Sequence, residues 1–326
     1  MSWFRRAGLT LRRTLGGAVR RAGGVTRSDI ARLHGALAVR DRRLDVLAAT
    51  LDGLSAQADS LQRAHNDLGD RVRVLEGLLS IDALSRFIRH TRLRREPLVS
   101  VVLPTYDRPD RLRRAIESVL AQRYTHWELL VVDDGGEADS HGVVVEIADP
   151  RVRWMAIEHA GVCAARNAAL AIVRGEVVAY LDDDNAMDSD WLYAVVWAFE
   201  QRPEVDVLYG AFVVDDPLRV GRQSSGELPR TVLSAWNREV LRQRNLADIG
   251  AIAHRSGLPE ARFDEGLRQL GDWDLLLRLT KERDPLVLPA IACYYMTDAP
   301  NRLTGGPTYH ADLATVTARG AALAKT

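Results

Sequence analysis

The sequence predicts a doubly wound α/β layered sheet preceded by a long α-helix of the coiled-coil kind. From residue 98 onward, short apolar runs rich in β-branched residues alternate with helical patterns, as expected of strands buried on both faces between covering helices. From residue 30, apolar side chains recur every seven residues, the spacing of a coiled-coil seam. Two acidic clusters, "VVDDGG" and "YLDDDN", stand where apolar runs end, and in sheets of this kind ligands bind beyond the carboxyl ends of the strands.

Length and composition bound the possibilities. With 326 residues and 47% hydrophobic content the chain can bury a substantial core and is not a disordered one. Its formal charge of zero hides an asymmetry: residues 1–98 hold 19 Lys/Arg against 10 Asp/Glu, leaving 25 against 34 for the remainder, so a basic front joins an acidic body. Cys163 and Cys293 are too few and too far apart in sequence for a disulfide framework or a four-ligand zinc site, which makes a reducing compartment, the cytoplasm, the expected location. No run long enough to span a bilayer and no signal-peptide pattern is expected.

The elements follow in order. Residues 1–27, beginning "MSWFRRAGLTLRRTLGGAVRRAGG", mix paired arginines with Trp3, Phe4, Leu9, Leu11 and Leu15 and carry no acid until Asp29. That pattern suits either peripheral contact with an anionic membrane surface at its inner face or a solvated basic tail. Residues 28–90 carry the heptads: Ile30, Leu37, Leu44, Leu51, Ala58, Val72 and Leu79 share one position, and Leu33, Leu47, Leu54, Leu61, Leu68 and Leu75 the position three later. Arg40, His65 and Asp82 interrupt the seam, His65 reading as a register-setting polar residue. Such a helix pairs with a second copy, giving a homo-oligomer, or with a partner's helix; the alternative is a single helix folded against the body.

Residues 91–97 form a charged linker ending at Pro97. The α/β body, 98–300, then opens with "LVSVVLP", and strands are expected again at "WELLVVD", "VRWMAI", "EVVAYL" and "VDVLYG". Helices are expected over 111–122, around 143–148, over 161–173 and over 189–200. "VDDPLRVGRQSSGELP" reads as an insertion loop, "DIGAIAHRSGL" as a strand running into a short helix start, and "GDWDLLLRLTKER" as a helix with two acids in its first turn. Residues 301–326 form a C-terminal loop and tail, and "AALAKT" carries no signal.

Several chemistries are excluded by missing motifs: there is no Walker phosphate loop, no GxGxxG after a strand, no HExxH and no GxSxG elbow. The acids after "VVAYL" remain. If extended geometry persists past Leu181, Asp182 and Asp184 point to one side and Asp183 to the other. Paired carboxylates on one side suit a hard divalent ion, Mg²⁺ or Mn²⁺, whose shell a phosphate ligand completes. A calcium loop starting at Asp182 fails, because Met187 stands where glycine is required and Tyr193 where a bidentate Glu is needed. The acids could also cap the helix that follows, although Asp188 or Ser189 would suffice for that.

The order "VSVVLPTYDRPDRLRRAIESVLAQ", "WELLVVDDGG", "GVCAARNAAL", "GEVVAYLDDDN" and "GDWDLLLRL" resembles the family 2 glycosyltransferases, nucleotide-sugar transferases with the GT-A fold. The resemblance covers roughly residues 98–300 and leaves the heptad helix outside it. It implies a metal-dependent, inverting transferase, with Asp184 the principal metal ligand of the DxD motif and Asp182 contacting the ribose or the metal shell. The family often has a small residue where Asp183 stands. Pro104, Thr105 and Tyr106 would wall the nucleotide pocket, and Asp134 would accept from the base's ring N–H. That suits a UDP-, dTDP- or GDP-sugar donor.

Arg166 would face base or phosphates, or else pair with a nearby acid on a helix surface. Asp272 would be the base that deprotonates the acceptor hydroxyl, although the acid that commonly precedes it is replaced by Gly271; its alternative role is helix capping. Asp274, two residues on, cannot face the same acceptor, since two helical residues span about 200°. Trp273 and "CYYMTDAPNRLTGG" would line or close the acceptor side, with Gly305 and Gly306 as hinges and Arg302 or His310 reaching the diphosphate; Tyr294 and Tyr295 fit strand positions equally well.

The implied function is transfer of a sugar to a hydroxyl on a glycan or lipid-linked acceptor in polysaccharide or cell-envelope synthesis. Two rivals are a sugar-1-phosphate nucleotidyltransferase, which would show a Gly-rich basic loop where "PTYDRPDRL" has no glycine, and a catalytically inert coiled-coil scaffold. Intact acids at Asp134, Asp182, Asp184 and Asp272 argue against inertness. No regularly spaced aromatics support nucleic-acid binding by the basic front.

Overall fold

The computed structural model describes residues 26–214, 230–296 and 308–323. The expected basic segment, the insertion loop, and Arg302, Gly305 and Gly306 lie outside these residues, apart from the ends of the first two stretches. The chain divides into two compact units at Val72/Arg73.

A single helix, α1 (Arg27–His90), runs for 64 residues. Thr26 and Asp29 start it reciprocally: the Asp29 N–H donates to the Thr26 hydroxyl at 3.3 Å and the Thr26 N–H to the Asp29 carboxylate at 3.1 Å, a capping box. Within the first unit the heptad leucines other than Leu37 stand exposed, Leu51 at 65% and Leu61 at 72%. In the second unit the helix end is packed: Ile81 and Ile88 are buried, Phe87 meets Trp197 edge-on at 5.7 Å, and Arg89 and Arg123 both grip Asp190, at 3.1 and 2.6 Å.

The α/β body is built on β1 (Val99–Thr105), β2 (Trp127–Asp133), β3 (Val152–Ala156), β4 (Val177–Tyr180), β5 (Ala186–Met187), β6 (Val207–Val214), β7 (Arg230–Val232), β8 (Ile252–Arg255) and β9 (Leu286–Tyr295). Its helices are α2 (Pro109–Leu120), α3 (Ser140–Ile147), α4 (Val162–Leu170), α5 (Trp191–Gln201), α6 (Arg238–Leu241), α7 (Gly271–Leu279) and α8 (Tyr309–Ala322). The sheet order is β3-β2-β1-β4-β8-β6-β9-β5, with β7 on β6. β3, β2, β1 and β4 are mutually parallel, whereas β8 runs antiparallel to both β4 and β6.

Period-two alternation explains why β1 reads as an unbroken apolar run. Val99, Val101 and Leu103 enter the core shared with α2 and α5, while Val102 enters the opposite core, shared with α4 and α7. β2 and β4 divide in the same way. Two expectations change. "DIGAIAHRSGL" forms a 3₁₀ turn (Ile249–Ala251) before β8, capped by Asp248 accepting the Gly250 N–H at 2.9 Å, and a turn rather than a helix start after it, where Gly257 takes φ +79°. The sheet is also mixed rather than simply doubly wound, since β8 wedges in between β4 and β6. Among the described residues no helix is long and apolar enough to cross a membrane.

Candidate active site

The parallel strands end together, and their carboxyl ends open on a cleft of about 740 Å³. Its lining includes Pro104, Thr105 and Tyr106 from the end of β1, Asp134 after β2, Arg166 on α4, Asp182, Asp183 and Asp184 after β4, Asp248, and Asp272 on α7. The register that aligns Thr105 with Asp133 and Val102 with Tyr180 brings these ends to one level. The residues expected to bind the donor and the expected base, Asp272, therefore lie on one cavity.

The acidic triplet is arranged differently from the expected alternation. β4 stops at Tyr180 and the chain turns, the Asn185 N–H donating to the Asp182 carbonyl at 3.1 Å, so period two does not extend past Leu181. Asp182 takes the Arg166 guanidinium at 2.6 Å. Asp183 and Asp184 share Nη1 of Arg108, at 3.1 and 3.3 Å. Asp183 is the buried member: it accepts from the Thr105 hydroxyl at 2.8 Å and faces the Tyr106 N–H at 3.4 Å, tying the ends of β1 and β4 together. Burial pushes its carboxyl up to about 6 against the pull of Arg108.

Arg166 is buried and faces the cleft, not the helix surface, and among the described residues its Nε has no hydrogen-bond partner. Burial disfavours its charge, while Asp182, and more weakly Asp272, favour it. Asp272 sits in the first turn of α7. One oxygen accepts from its neighbour's Trp273 N–H at 2.9 Å, and the other from Asn245 Nδ2 at 2.7 Å. Burial pushes this carboxyl up as well, Arg166 pulls it down and Asp182 pushes it further up. Asp248 completes the group: burial foremost, then the charges of Asp182 and Asp272, push it up to about 8.

Asp274, by contrast, has a fully buried side chain bound by Arg278 at 2.9 Å and Arg319 at 2.6 Å, on the other side of α7 from the cleft. Trp273, expected to line the acceptor side, is a core residue whose Nε1 donates to the Leu241 carbonyl at 2.5 Å; its spacing with Leu276 and Leu277 faces it inward. Tyr294 and Tyr295 are β9 residues, Tyr295 reaching the cleft. His310 lies exposed on α8, and Thr308 and Tyr309 supply the lining there.

Asp134 accepts from the Ala160 N–H at 2.9 Å and the Gly161 N–H at 2.9 Å, one through each oxygen, and has His159 Nδ1 at 3.0 Å. The His159 ring lies 4.6 Å from that of Tyr106, making an aromatic wall beside the carboxylate. Gly135 permits this approach. It holds φ +76°, and a Cβ there would stand 2.7 Å from the His159 backbone nitrogen.

Arg108, His159, Asn245 and Asp248 were not foreseen. Arg108 lies within "PTYDRPDRL", and a cation just past a strand end was the only available signal. Asp248 precedes the apolar run "IGAIAH" as an ordinary cap would.

Among the described residues no three His, Cys, Asp or Glu side chains converge closely enough to hold a metal. The donor set nevertheless suits a hard cation: it is all carboxylate, and the Arg108 guanidinium nitrogen already stands as a cation against two of the three acids.

A carboxylate-lined cleft at the carboxyl ends of parallel strands is where open α/β enzyme folds bind their ligands, and comparison with known proteins places this one more closely. The chain belongs to glycosyl transferase family 2, whose family model matches residues 100–261. WcaA of Escherichia coli (strain K12), named for colanic acid biosynthesis as a glycosyl transferase, is 28% identical over 195 residues, covering 58% of this chain and 68% of that protein.

Solved structures share the GT-A fold. Staphylococcus aureus TarS in complex with UDP-GlcNAc matches at TM-score 0.54 and 19% identity, over 68% of this chain and 66% of that one. The mannosyltransferase PcManGT of Pyrobaculum calidifontis, in complex with GDP-Man and Mn²⁺, matches at TM-score 0.51 and 18% identity, over 78% and 73%. The chain spans between 21% and 68% of the lengths of the first curated relatives it matches.

Proposed function

We propose that this chain transfers a glycosyl unit from a UDP-, dTDP- or GDP-sugar to a hydroxyl of a glycan or lipid-linked acceptor, with inversion, in polysaccharide or cell-envelope synthesis. One observation carries the reading: Asp272 faces the same cleft as Asp182, Asp183 and Asp184, with the buried cation Arg166 in contact with Asp182 and pulling on Asp272. The donor complexes of TarS and PcManGT and the name of WcaA support the donor class and the pathway class. Two buried free thiols suit a reducing cytoplasm.

In this reading the nucleoside lies against Tyr106 and His159, with the remaining acceptor capacity of Asp134 turned to the base. Asp184, with Asp182, would hold Mg²⁺ or Mn²⁺. The ion, when bound, offsets the negative charge of the leaving diphosphate. Arg166 adds a fixed positive charge beside it.

Asp272 takes the proton of the acceptor hydroxyl as the oxygen–anomeric carbon bond forms and the bond from that carbon to the diphosphate breaks. The bonding pair leaves with the nucleoside diphosphate, and a single displacement inverts the anomeric centre. Burial makes Asp272 a stronger base than a solvated aspartate, and Asn245 holds one of its oxygens in place.

Thermal-shift measurements with UDP, dTDP and GDP, each with and without Mn²⁺, test donor binding. Nuclear magnetic resonance of the product anomer tests the mechanism. Stabilisation by one diphosphate only when Mn²⁺ is present is expected. Stabilisation by none of the three, or a product of retained configuration, would overturn the corresponding part.

A further inference from the structure

The seam of α1 takes no part in the transfer proposed above. Leu33, Leu51, Leu61 and Val72 on it are 50%, 65%, 72% and 43% exposed. Eight such half-exposed side chains lie between residues 33 and 72, and at roughly 100 Å² each they expose on the order of 800 Å², about what each partner gives to a stable interface. A stripe of this length and period is matched by another of the same length and period, and this chain supplies one.

The polar interruptions decide the arrangement. In a parallel, in-register pair each seam residue meets its own counterpart, so Arg40 would face the partner's Arg40 and His65 the partner's His65. Opposed guanidinium groups in a seam destabilise it. In an antiparallel pair the first seam position meets the partner's second. One such register sets Arg40 against the partner's His65, whose neutral imidazole can accept from a guanidinium N–H. The same register sets Leu33 against the partner's Val72, Leu44 against the partner's Leu61, and Leu51 against the partner's Leu54. The third interruption, Asp82, falls beyond the paired stretch and is engaged by Arg86 at 2.8 Å.

We infer that α1 pairs with a second copy of this chain as an antiparallel two-stranded coiled coil over residues 33–72, in the register that sets Arg40 against the partner's His65. The polar layer costs some stability and selects orientation and register, the best-attested use of such residues.

The test uses the full chain at micromolar concentration. Light scattering should give twice the 36.2 kDa chain mass. Leu33→Cys and Val72→Cys variants are then oxidised mildly, each alone and after mixing and subunit exchange, with the unsubstituted chain as the control for the buried Cys163 and Cys293. Each variant alone should stay uncrosslinked and the mixture should give a disulfide-linked dimer.

A mass of one chain overturns the pairing, whether the seam is then covered by another part of the chain or by a different protein. Crosslinking of each variant with itself overturns the antiparallel register in favour of a parallel one. The double variant Leu47→Asp/Leu54→Asp alters only exposed positions. It should halve the mass while leaving the thermal midpoint of the α/β body in place, and a persistent dimer would exclude this seam.

Discussion

Two aspartates two residues apart on α7 should separate stability from catalysis. Asp274 has no exposed side-chain surface and binds Arg278 and Arg319, at 2.9 and 2.6 Å. Asp274→Asn would leave both guanidinium groups facing a neutral amide with a single acceptor oxygen. Breaking a buried ion pair costs about 3–5 kcal/mol. The two arginines keep 26% and 38% of their side-chain surface in water, which places the loss at the lower end, about 3 kcal/mol. At about 2–4 °C per kcal/mol, the melting midpoint should fall by roughly 6–12 °C.

Asp272→Asn is the contrasting change. Burial already disfavours its charge, and the amide oxygen can still accept the Trp273 N–H. The lost bond from Asn245, about 1 kcal/mol, is largely offset by the relief of a buried charge, so the midpoint should move by no more than about 3 °C. Turnover should drop by about 10²–10⁴-fold, the usual contribution of a general base. Scanning fluorimetry and nucleoside diphosphate release, run in parallel on both variants, read the two effects. An Asp272→Asn protein that turns over normally, or an Asp274→Asn protein of unchanged midpoint, would refute the assignment.

Asp184→Asn should abolish the Mn²⁺-dependent part of the stabilisation by nucleoside diphosphate, worth about 2.7 kcal/mol at a hundredfold excess over Kd; a full shift in the variant would remove Asp184 from the metal site. His254 is buried, its Nε2 meeting the Tyr180 hydroxyl at 2.7 Å, and burial holds its pKa down to about 4 from 6.5. The neutral ring is therefore favoured in the folded state, so this contribution is fully present above pH 6.5 and is lost as pH falls through 4, by about 3 kcal/mol in all. Urea unfolding at pH 7 and pH 4 should show that loss, and His254→Gln should reduce it. Gly161 adopts φ +99°, and a Cβ there would approach Arg268 Nη1 to 2.8 Å. Gly161→Ala should cost about 1–3 kcal/mol and weaken nucleotide binding by shifting an N–H that Asp134 accepts, both measurable by thermal shift.

Much of this was legible along the chain because it rests on local rules. Apolar, β-branched runs locate β1, β2 and β4, since a strand covered on both faces needs no polar side. Asp182 could be named in advance because it follows a strand end, and Asp272 because the resemblance to the family 2 glycosyltransferases singles out the acid that opens this helix. Arg108 and His159 act across long sequence separations, through contacts with Asp183, Asp184 and Tyr106 that no local pattern reports. Trp273 misled because aromatic residues near a site serve the core and the ligand in the same spacing.

The heptad helix, the alternating layers and the carboxylates at the strand ends can be read along the chain, because periodicity and short-range turn chemistry are written into neighbouring residues. The antiparallel insertion of β8 beside β4, the division of the turned acidic triplet between Arg166 and Arg108, and the place of Asp248 in the cleft emerge once the chain has folded. Those outcomes depend on which buried charges find counter-charges when distant segments meet, and that balance is settled in three dimensions.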